Sequence, residues 1–237
     1  MSYASEMRLR LPATMSMPEE FEALFDWIEA RGFFIPSESF PGDQLGMLGP
    51  SLNNEPCETT YILFRVETPE QAQNEGEAWS SDMNAPGICQ RLVRFARVGW
   101  DGSYAAIWID DDGRQHIVYV GSEGEAGILT SSPLDFLRLL AIGYEYIGGD
   151  CFERPDEPPD DTERSGVVVN EAFRSWLVDR YGVTVPQTAS ELISEIPCGM
   201  PRKSLSNDPF WRWAYRWYFE LSTEEQARLW PAGMSPG

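Results

Sequence analysis

The block from Arg91 to Gly149 constrains the fold more than any other part of the chain, because short apolar runs alternate there with turn residues. Three runs rich in Ile, Val, Trp and Tyr predict strands over 92–98, 104–110 and 115–120. The loop Asp111-Asp112-Gly113 suits a three-residue hairpin in which the glycine takes the left-handed conformation. The register then places Ile107 opposite Ile117, Trp108 opposite His116 and Asp110 opposite Arg114. The block therefore predicts consecutive antiparallel strands.

A helix should follow this sheet. A turn over 121–125 and a short strand at 128–129 lead to Ser132-Pro-Leu-Asp135, which combines a capping serine, a proline in the first turn and an acid. The next residues are apolar on nearly every side, which predicts a buried helix over 134–146 that stops at Gly148-Gly149.

The N-terminal part predicts one further helix and two strands. After a polar start, residues 16–32 have apolar side chains at helical spacing, Ser16 and Glu19 as a capping box, and Gly32 at the end. A short strand is expected at 44–48 and another at 59–66, followed by a polar helix over 69–79 that Thr68 caps.

The C-terminal part is predicted to be helical. Residues 150–164 are rich in acids and prolines, as in a linker or an exposed loop. Beyond them, helix start signals occur at Asn170, Thr188, Asp208 and Ser222. We therefore expect three parts: a core over 1–150, an acidic linker over 151–165, and a helical extension over 166–237 that packs on the core.

Charge and composition exclude several classes of function. The 237 residues include 38 Asp and Glu against 18 Lys and Arg, so a chain near −20 repels the phosphate backbone of nucleic acids. Neither a membrane-spanning apolar run nor a signal peptide is visible, and we expect a cytoplasmic protein. The cysteines are dispersed along the chain, as is typical of free thiols in a reducing compartment. They are Cys57, Cys89, Cys151 and Cys198.

Catalytic and metal-binding motifs are missing from the sequence. His116 is the single histidine and has no ligand or catalytic partner at a matching offset, so we interpret it as a sheet residue beside Trp108. Asp110-Asp111-Asp112-Gly113 lacks the alternating acids of a calcium loop. The glycine-rich run 121–127 contains two glutamates, which would repel a phosphate. We expect no catalytic residue, metal or cofactor, although paired carboxylates stay formally possible among so many acids.

The aromatic run 210–218 admits two interpretations. Trp and Tyr at helical spacing could stack against bases, or they could pack against the rest of the protein. The negative charge argues against nucleic acid, and we therefore interpret this run as a packing face.

The central block resembles the SUKH superfamily, which joins a eukaryotic regulator of cell-wall assembly to many bacterial toxin-immunity proteins. The resembling segments are Phe95-Ala-Arg-Val-Gly99, Asp101-Gly102, Ile107-Trp-Ile-Asp110, Ile117-Val-Tyr-Val120 with Gly121-Ser-Glu-Gly-Glu125, Ser132-Pro-Leu-Asp-Phe-Leu137 and Met17-Pro-Glu-Glu-Phe-Glu-Ala-Leu24. Two features depart from the family pattern. The helix that leads this pattern is missing or much reduced, and residues 151–237 lie outside the usual core.

The resemblance implies an α+β fold with a curved, mainly antiparallel sheet flanked by helices. It also implies a scaffold without catalytic residues, and in bacterial members it implies binding and neutralisation of a cognate toxin. An acidic face would steer a basic toxin towards the protein. We therefore expect part of a docking surface on two turns of the sheet, at Asp110, Asp111, Asp112, Glu123 and Glu125 with neighbouring aromatics. For each of these acids, the alternative interpretation is a solvated sheet edge. A regulatory scaffold for an endogenous protein is the alternative, and an uncharacterised hydrolase is a third reading. The sequence does not indicate the oligomeric state.

Overall fold

The computed structural model describes residues 1–52, 55–56, 62–68, 71, 90–159, 170–197 and 207–218. Within these ranges the chain forms an α+β fold in which a seven-stranded antiparallel sheet is flanked by helices, as the sequence predicts. The predicted polar helix over 69–79 lies almost entirely outside the described residues, and the helix expected from Ser222 lies wholly outside them. Hydrogen bonds in both directions between Thr68 and Gln71 nevertheless form the cap that the sequence indicates.

The sheet is a meander in its C-terminal half and is extended by short strands at its other edge. The strand order is β1-β2-β5-β6-β7-β8-β9, and β3 pairs with β4 separately. The strands are β1 (Phe34–Pro36), β2 (Gln44–Gly46), β3 (Ser51–Leu52), β4 (Glu55–Pro56), β5 (Leu63–Phe64), β6 (Leu92–Arg97), β7 (Tyr104–Ile109), β8 (Gln115–Val120) and β9 (Ala126–Thr130).

Helices cover the sheet on both faces. They are α1 (Tyr3–Leu9), α2 (Glu19–Arg31), α3 (Pro133–Ile142), α4 (Asp150–Glu153), α5 (Glu171–Tyr181) and α6 (Pro209–Tyr218), with a 3₁₀ turn at Ala189–Glu191. One face of the sheet joins α1, α2, α3 and α5 in the main core. The other face forms a second apolar cluster with α6.

The predicted β7–β8 hairpin is confirmed residue by residue. Ile107 pairs with Ile117, and Trp108 pairs with His116. Gly113 has a φ of 79°, the left-handed conformation that this loop requires. Alternation along the strand sends Ile107 into the main core and Trp108 into the cluster with α6.

The start of α6 is fixed by Asp208, one of the predicted helix signals. One carboxylate oxygen accepts a hydrogen bond from the Trp211 amide at 2.8 Å, and the other accepts one from the Ile128 amide of β9 at 2.6 Å. The same side chain therefore caps the helix and ties it to the sheet. Phe210 and Trp213 then pack on Trp108, which confirms that the visible part of this aromatic run is a packing face.

One helix is absent from the sequence predictions, and two local predictions are wrong. The polar start contains a helix, α1, whose Tyr3 and Met7 are buried in the main core. The N-cap of α2 is Pro18 and makes no side-chain cap bond. The Ser16 amide instead donates to the Gln115 side chain, so Ser16 forms no capping box. Helix α3 ends at Gly143, where φ is 102°, and does not continue to Gly148-Gly149.

Residues 150–159 stay close to the core. Cys151 on α4 is fully buried, and the carbonyl of Glu157 accepts a hydrogen bond from the Tyr144 hydroxyl at 2.9 Å. Residues 160–165 lie outside the described chain, so the proposed division into a core, a linker and an extension stays a prediction.

The first testable prediction concerns the docking of α6. Phe210 has no exposed surface, so Phe210→Ala should lower the free energy of unfolding by about 3–5 kcal/mol because it leaves a cavity against Trp108. The measurement is urea denaturation followed by tryptophan fluorescence and by circular dichroism. Trp100→Ala, at a position that is 65% exposed, should cost less than about 1 kcal/mol. Equal losses for the two variants would contradict this packing.

Candidate functional site

The five acids predicted to form one docking surface lie at opposite ends of β8. Asp110, Asp111 and Asp112 belong to the turn before this strand, and Glu123 and Glu125 belong to the turn after it. Six residues of extended chain separate the two turns by roughly 20 Å. Consecutive turns of an antiparallel meander always lie at opposite ends of the strand they share. The prediction of one continuous surface is therefore corrected to two separate sites.

The acids of the β7–β8 turn are engaged within the protein. Asp111 forms an ion pair with Arg91 at 2.7 Å, and Asp112 forms one with Arg114 at 3.1 Å. Asp110 accepts hydrogen bonds from the backbone amides of Asp112 and Arg114. Much of the negative charge at this turn is thus balanced by neighbouring cations and amide dipoles.

Asp110 also supplies the partner that the sequence did not reveal for His116. The His116 Nε2 atom lies 2.7 Å from the Asp110 Oδ2 atom, and the imidazole packs 5.4 Å from the Trp108 ring. The prediction that His116 packs beside Trp108 is confirmed, whereas the statement that it has no partner is wrong. Burial opposes ionisation of Asp110, but the bonds from His116 and Arg114 outweigh it and lower the pKa of the carboxyl.

The opposite end of the sheet carries a different arrangement around Trp100. This residue lies in the β6–β7 turn, and 65% of its surface is exposed. The next residue, Asp101, accepts hydrogen bonds from the Ser103 amide at 2.9 Å and from the Ser122 hydroxyl at 3.0 Å. Because Ser122 belongs to the β8–β9 turn, Asp101 links the two turns. We call Trp100, Asp101, Glu123 and Glu125 the Trp100 surface.

Backbone contacts make these two turns rigid. The Arg97 guanidinium donates to the carbonyls of Gly99 and Trp100, at 3.0 and 2.7 Å. In the β8–β9 turn the Gly121 amide donates to the Glu125 carbonyl at 2.7 Å. Burial opposes ionisation of Asp101, but its serine partners outweigh that effect and lower its pKa. The indole therefore projects from an ordered support with a charged carboxylate beside it.

One concave site among the described residues is a groove of about 770 Å³ beside α5, with Glu171 and Asp179 on its walls. These acids are eight residues apart on one helix, or about 12 Å along its axis. Arg174 in the same groove donates to the carbonyls of Ala141 and Ile142, so its guanidinium is held against the end of α3.

Another concave site is a cavity of about 260 Å³, lined by residues of β5 and β6 and by Tyr104 of β7. We call it the arginine pocket, because Arg65, Arg94 and Arg97 line it with Glu67. Asp43 lies just outside the lining, and its carboxylate forms ion pairs with the guanidinium groups of Arg65 at 3.1 Å and of Arg10 at 2.9 Å. These hydrogen bonds, chiefly that from Arg10, overcome the effect of burial and lower the pKa of Asp43 to about 2.

The described residues were also searched for an activated thiol, a metal site and a membrane-spanning helix, and none of the three is found among them. Burial raises the pKa of the Cys151 thiol to about 12, so this thiol is not an activated nucleophile. Among the residues that the structure describes, no cluster of three or more His, Cys, Asp or Glu side chains is placed to hold a metal ion. None of the described helices is both long enough and apolar enough to cross a membrane.

Sequence reasoning missed two parts of these sites. Trp100 is not among the residues selected from the sequence, because the exposure of an aromatic side chain in a turn depends on the tertiary structure. The arginine pocket was missed because its residues come from distant segments. The sequence offers one indication of this pocket: Arg65 and Arg94 are charged residues among the apolar residues of two predicted strands.

No protein-family model matches the chain, and neither a curated protein nor a solved structure matches it. The similarity to the SUKH superfamily stays a prediction from the quoted segments.

The Asp43 network predicts a specific pH dependence of stability. The folded pKa is below the unfolded value near 3.9, so the stabilisation is complete above about pH 4 and is lost as the pH falls towards about 2. The measurement is urea denaturation of the wild type and of Asp43→Asn between pH 2 and pH 6. The wild type should be more stable above pH 4, and the difference should shrink below it. A difference that does not change with pH would contradict the assignment.

Proposed function

We propose that this protein binds a basic protein partner through the Trp100 surface and neutralises it, in the manner of bacterial immunity proteins, without catalysing a reaction. The observation that carries the proposal is the 65% exposed indole of Trp100, held beside acids on two turns that Asp101 joins. The resemblance to the SUKH superfamily supports the immunity role. Such a role places the protein in the cytoplasm of the cell that makes the toxin.

An exposed tryptophan on a rigid support is suited to binding a protein. Tryptophan is enriched among the few interface residues that dominate binding energy, because its large ring buries much area with little loss of side-chain freedom. The Arg97 and Asp101 hydrogen bonds hold the turn before any partner arrives. A preorganised anchor loses little entropy on binding, so more of the contact energy contributes to affinity.

The charge distribution supports a basic partner. In the described part of the chain, most arginines are held in ion pairs, such as Arg8 with Glu22 and Arg138 with Asp135. The chain has 38 acids for 18 basic residues, so acids outnumber cations, and Glu123 is among the acids exposed on the surface. An exterior with this excess attracts cationic partners and accelerates their encounter.

The first experiment identifies the partner. Each gene adjacent to the one that encodes this protein is expressed with and without it, and survival of the host is measured. The proposal predicts one neighbour that kills only when this protein is absent, and whose purified product binds it directly. If no neighbour is toxic and the protein instead binds a housekeeping protein, the regulatory alternative replaces the immunity role.

The second experiment locates the surface once that toxin is purified. Trp100→Ala should weaken binding about 30-fold, the equivalent of about 2 kcal/mol, because an interface anchor is lost. The double variant Glu123→Arg/Glu125→Arg should slow association about tenfold at low salt and less at high salt. Stopped-flow fluorescence and calorimetry give the two quantities.

The matched control is Asp111→Arg/Asp112→Arg, which changes the net charge by the same amount at the opposite end of the sheet. It should slow association no more than about threefold. The contrary result is that this control variant associates as slowly as the Glu123→Arg/Glu125→Arg variant while Trp100→Ala binds with wild-type affinity. In that case the Trp100 surface is not the docking site.

A further inference from the structure

The groove beside α5 runs along one face of that helix, and we call it the α5 groove. One of its sides is formed by residues at positions i, i+3, i+4, i+7 and i+8 of the helix, which lie on one face: Glu171, Arg174, Ser175, Val178 and Asp179. The other side is formed by Pro158-Pro159 and by residues 185–187, and Ile142 at the end of α3 also lines the groove.

Most of the lining of the α5 groove is apolar. Val178 is 40% exposed and is one of the few large apolar side chains that are exposed among the described residues. The prolines add rigid apolar surface and have no backbone N–H to offer a ligand. The apolar lining residues are Ile142, Pro158, Pro159, Val178, Val185 and Pro186. An apolar surface bordered by charged residues is typical of an interaction site.

Hydrogen bonds hold both sides of the groove in place. The Arg174 Nε atom donates to a carbonyl at the end of α3 at 2.7 Å, which fixes α5 to that helix. The Arg138 Nε atom of α3 donates to the Thr184 carbonyl at 2.9 Å, next to residues 185–187. On the proline side, the Ser190 amide donates to the Pro155 carbonyl at 2.8 Å. A groove formed in advance costs little conformational entropy when a ligand binds.

The charged residues place an acid near each end of the groove. Glu171 lies in the first turn of α5 and Asp179 in the last, about 12 Å apart along the helix axis. Arg174 lies between them, but it donates to carbonyls at the C-terminal end of α3, where a cation offsets the negative end of the helix dipole. Its Nη1 atom is 3.9 Å from the Glu171 carboxylate, whose side chain is 77% exposed, so this ion pair is weak.

The position of Asp179 is unfavourable within the protein itself. An acid in the last turn of a helix lies close to the negative end of the helix dipole, which destabilises its charge. Arg180, the basic residue of the same turn, donates to the Tyr181 hydroxyl at 3.3 Å. A positive charge bound at this end of the groove offsets the repulsion between Asp179 and the dipole.

From this arrangement we propose that the α5 groove binds an extended segment of another protein, with two basic residues about four positions apart and apolar residues between them. An extended chain rises about 3.3 Å per residue, so four positions span about 13 Å and match the separation of Glu171 and Asp179. The apolar residues of the segment cover Val178 and the prolines. Ser175 and Gln187 in the lining carry side-chain groups that can hydrogen-bond to a peptide backbone.

The charge of the whole chain favours this occupant, since 38 acids against 18 basic residues attract a cationic segment. The volume of about 770 Å³ lies in the range of sites that enclose a ligand. None of the lining residues belongs to the turns that carry the Trp100 surface. Binding in the groove therefore does not depend on that surface, and either proposal can fail without the other.

The test uses the full-length protein and two fluorescein-labelled peptides of equal composition. In Gly-Lys-Val-Pro-Val-Lys-Gly the lysines are four positions apart, and in Gly-Val-Lys-Lys-Pro-Val-Gly they are adjacent. Fluorescence anisotropy at one ionic strength gives the Kd of each. The first peptide should bind saturably, with one site per chain and about fivefold more tightly than the second, because only its lysines reach both acids.

Two variants at exposed positions of α5 test the residues of the groove. Asp179→Asn should raise the Kd of the first peptide about threefold, because one partly exposed ion pair is lost. Val178→Arg should raise it about tenfold or more, because it replaces an apolar contact by a repelling charge. The matched control is Asp26→Asn, which removes the same charge from an exposed position of α2 outside the groove, and its Kd should stay within about 1.5-fold of the wild type.

Equal affinities for the two peptides, or equal effects of Asp179→Asn and Asp26→Asn, would overturn the proposal and leave only a general attraction of cations to the acidic exterior. Sedimentation velocity of the protein alone tests a second copy of this chain as the occupant. A monomer is expected. A dimer that Val178→Arg dissociates would assign the groove to self-association and would also overturn the proposal.

Discussion

The burial of β7 on both faces is the constraint on which the structure depends. Its residues alternate between the main core, where Ile107 lies, and the cluster with α6, where Trp108 lies. A strand that is apolar on both sides must be covered twice, so the helices before it and after it in sequence are both required. Once β7 is fixed, the turns at its two ends are fixed too, and these turns carry the charged and exposed groups discussed above.

The parts of the fold predicted correctly from sequence are those with local causes. The register of the β7–β8 hairpin follows from side-chain alternation and from Gly113, and the start of α3 follows from Ser132 and Pro133. The end of α3 was misplaced because Gly143 terminates the helix before the later glycine pair. Helix α1 was missed because its stability comes from burying Tyr3 and Met7 against distant segments, which no local pattern reports.

The candidate sites were less predictable than the fold. The acids were chosen by their nearness in sequence, but strand β8 separates Asp111 from Glu123 in space. Asp111 also forms an ion pair with Arg91, which leaves its carboxylate less available to a partner protein. This ion pair depends on the tertiary structure. The arginine pocket joins residues from β5, β6 and the β1–β2 region. No spacing rule connects such positions in a single sequence.

Two features follow from this architecture: an acidic exterior with the Trp100 surface at one end of the sheet, and the arginine pocket beside β5 and β6. We propose that the exterior recognises a protein at the Trp100 surface. The most direct test is hydrogen–deuterium exchange of this protein alone and bound to the partner that the co-expression experiment identifies. Slower exchange is expected at residues 97–103 and 121–125, with little change at 110–114. Protection at 110–114 without protection around Trp100 would contradict it.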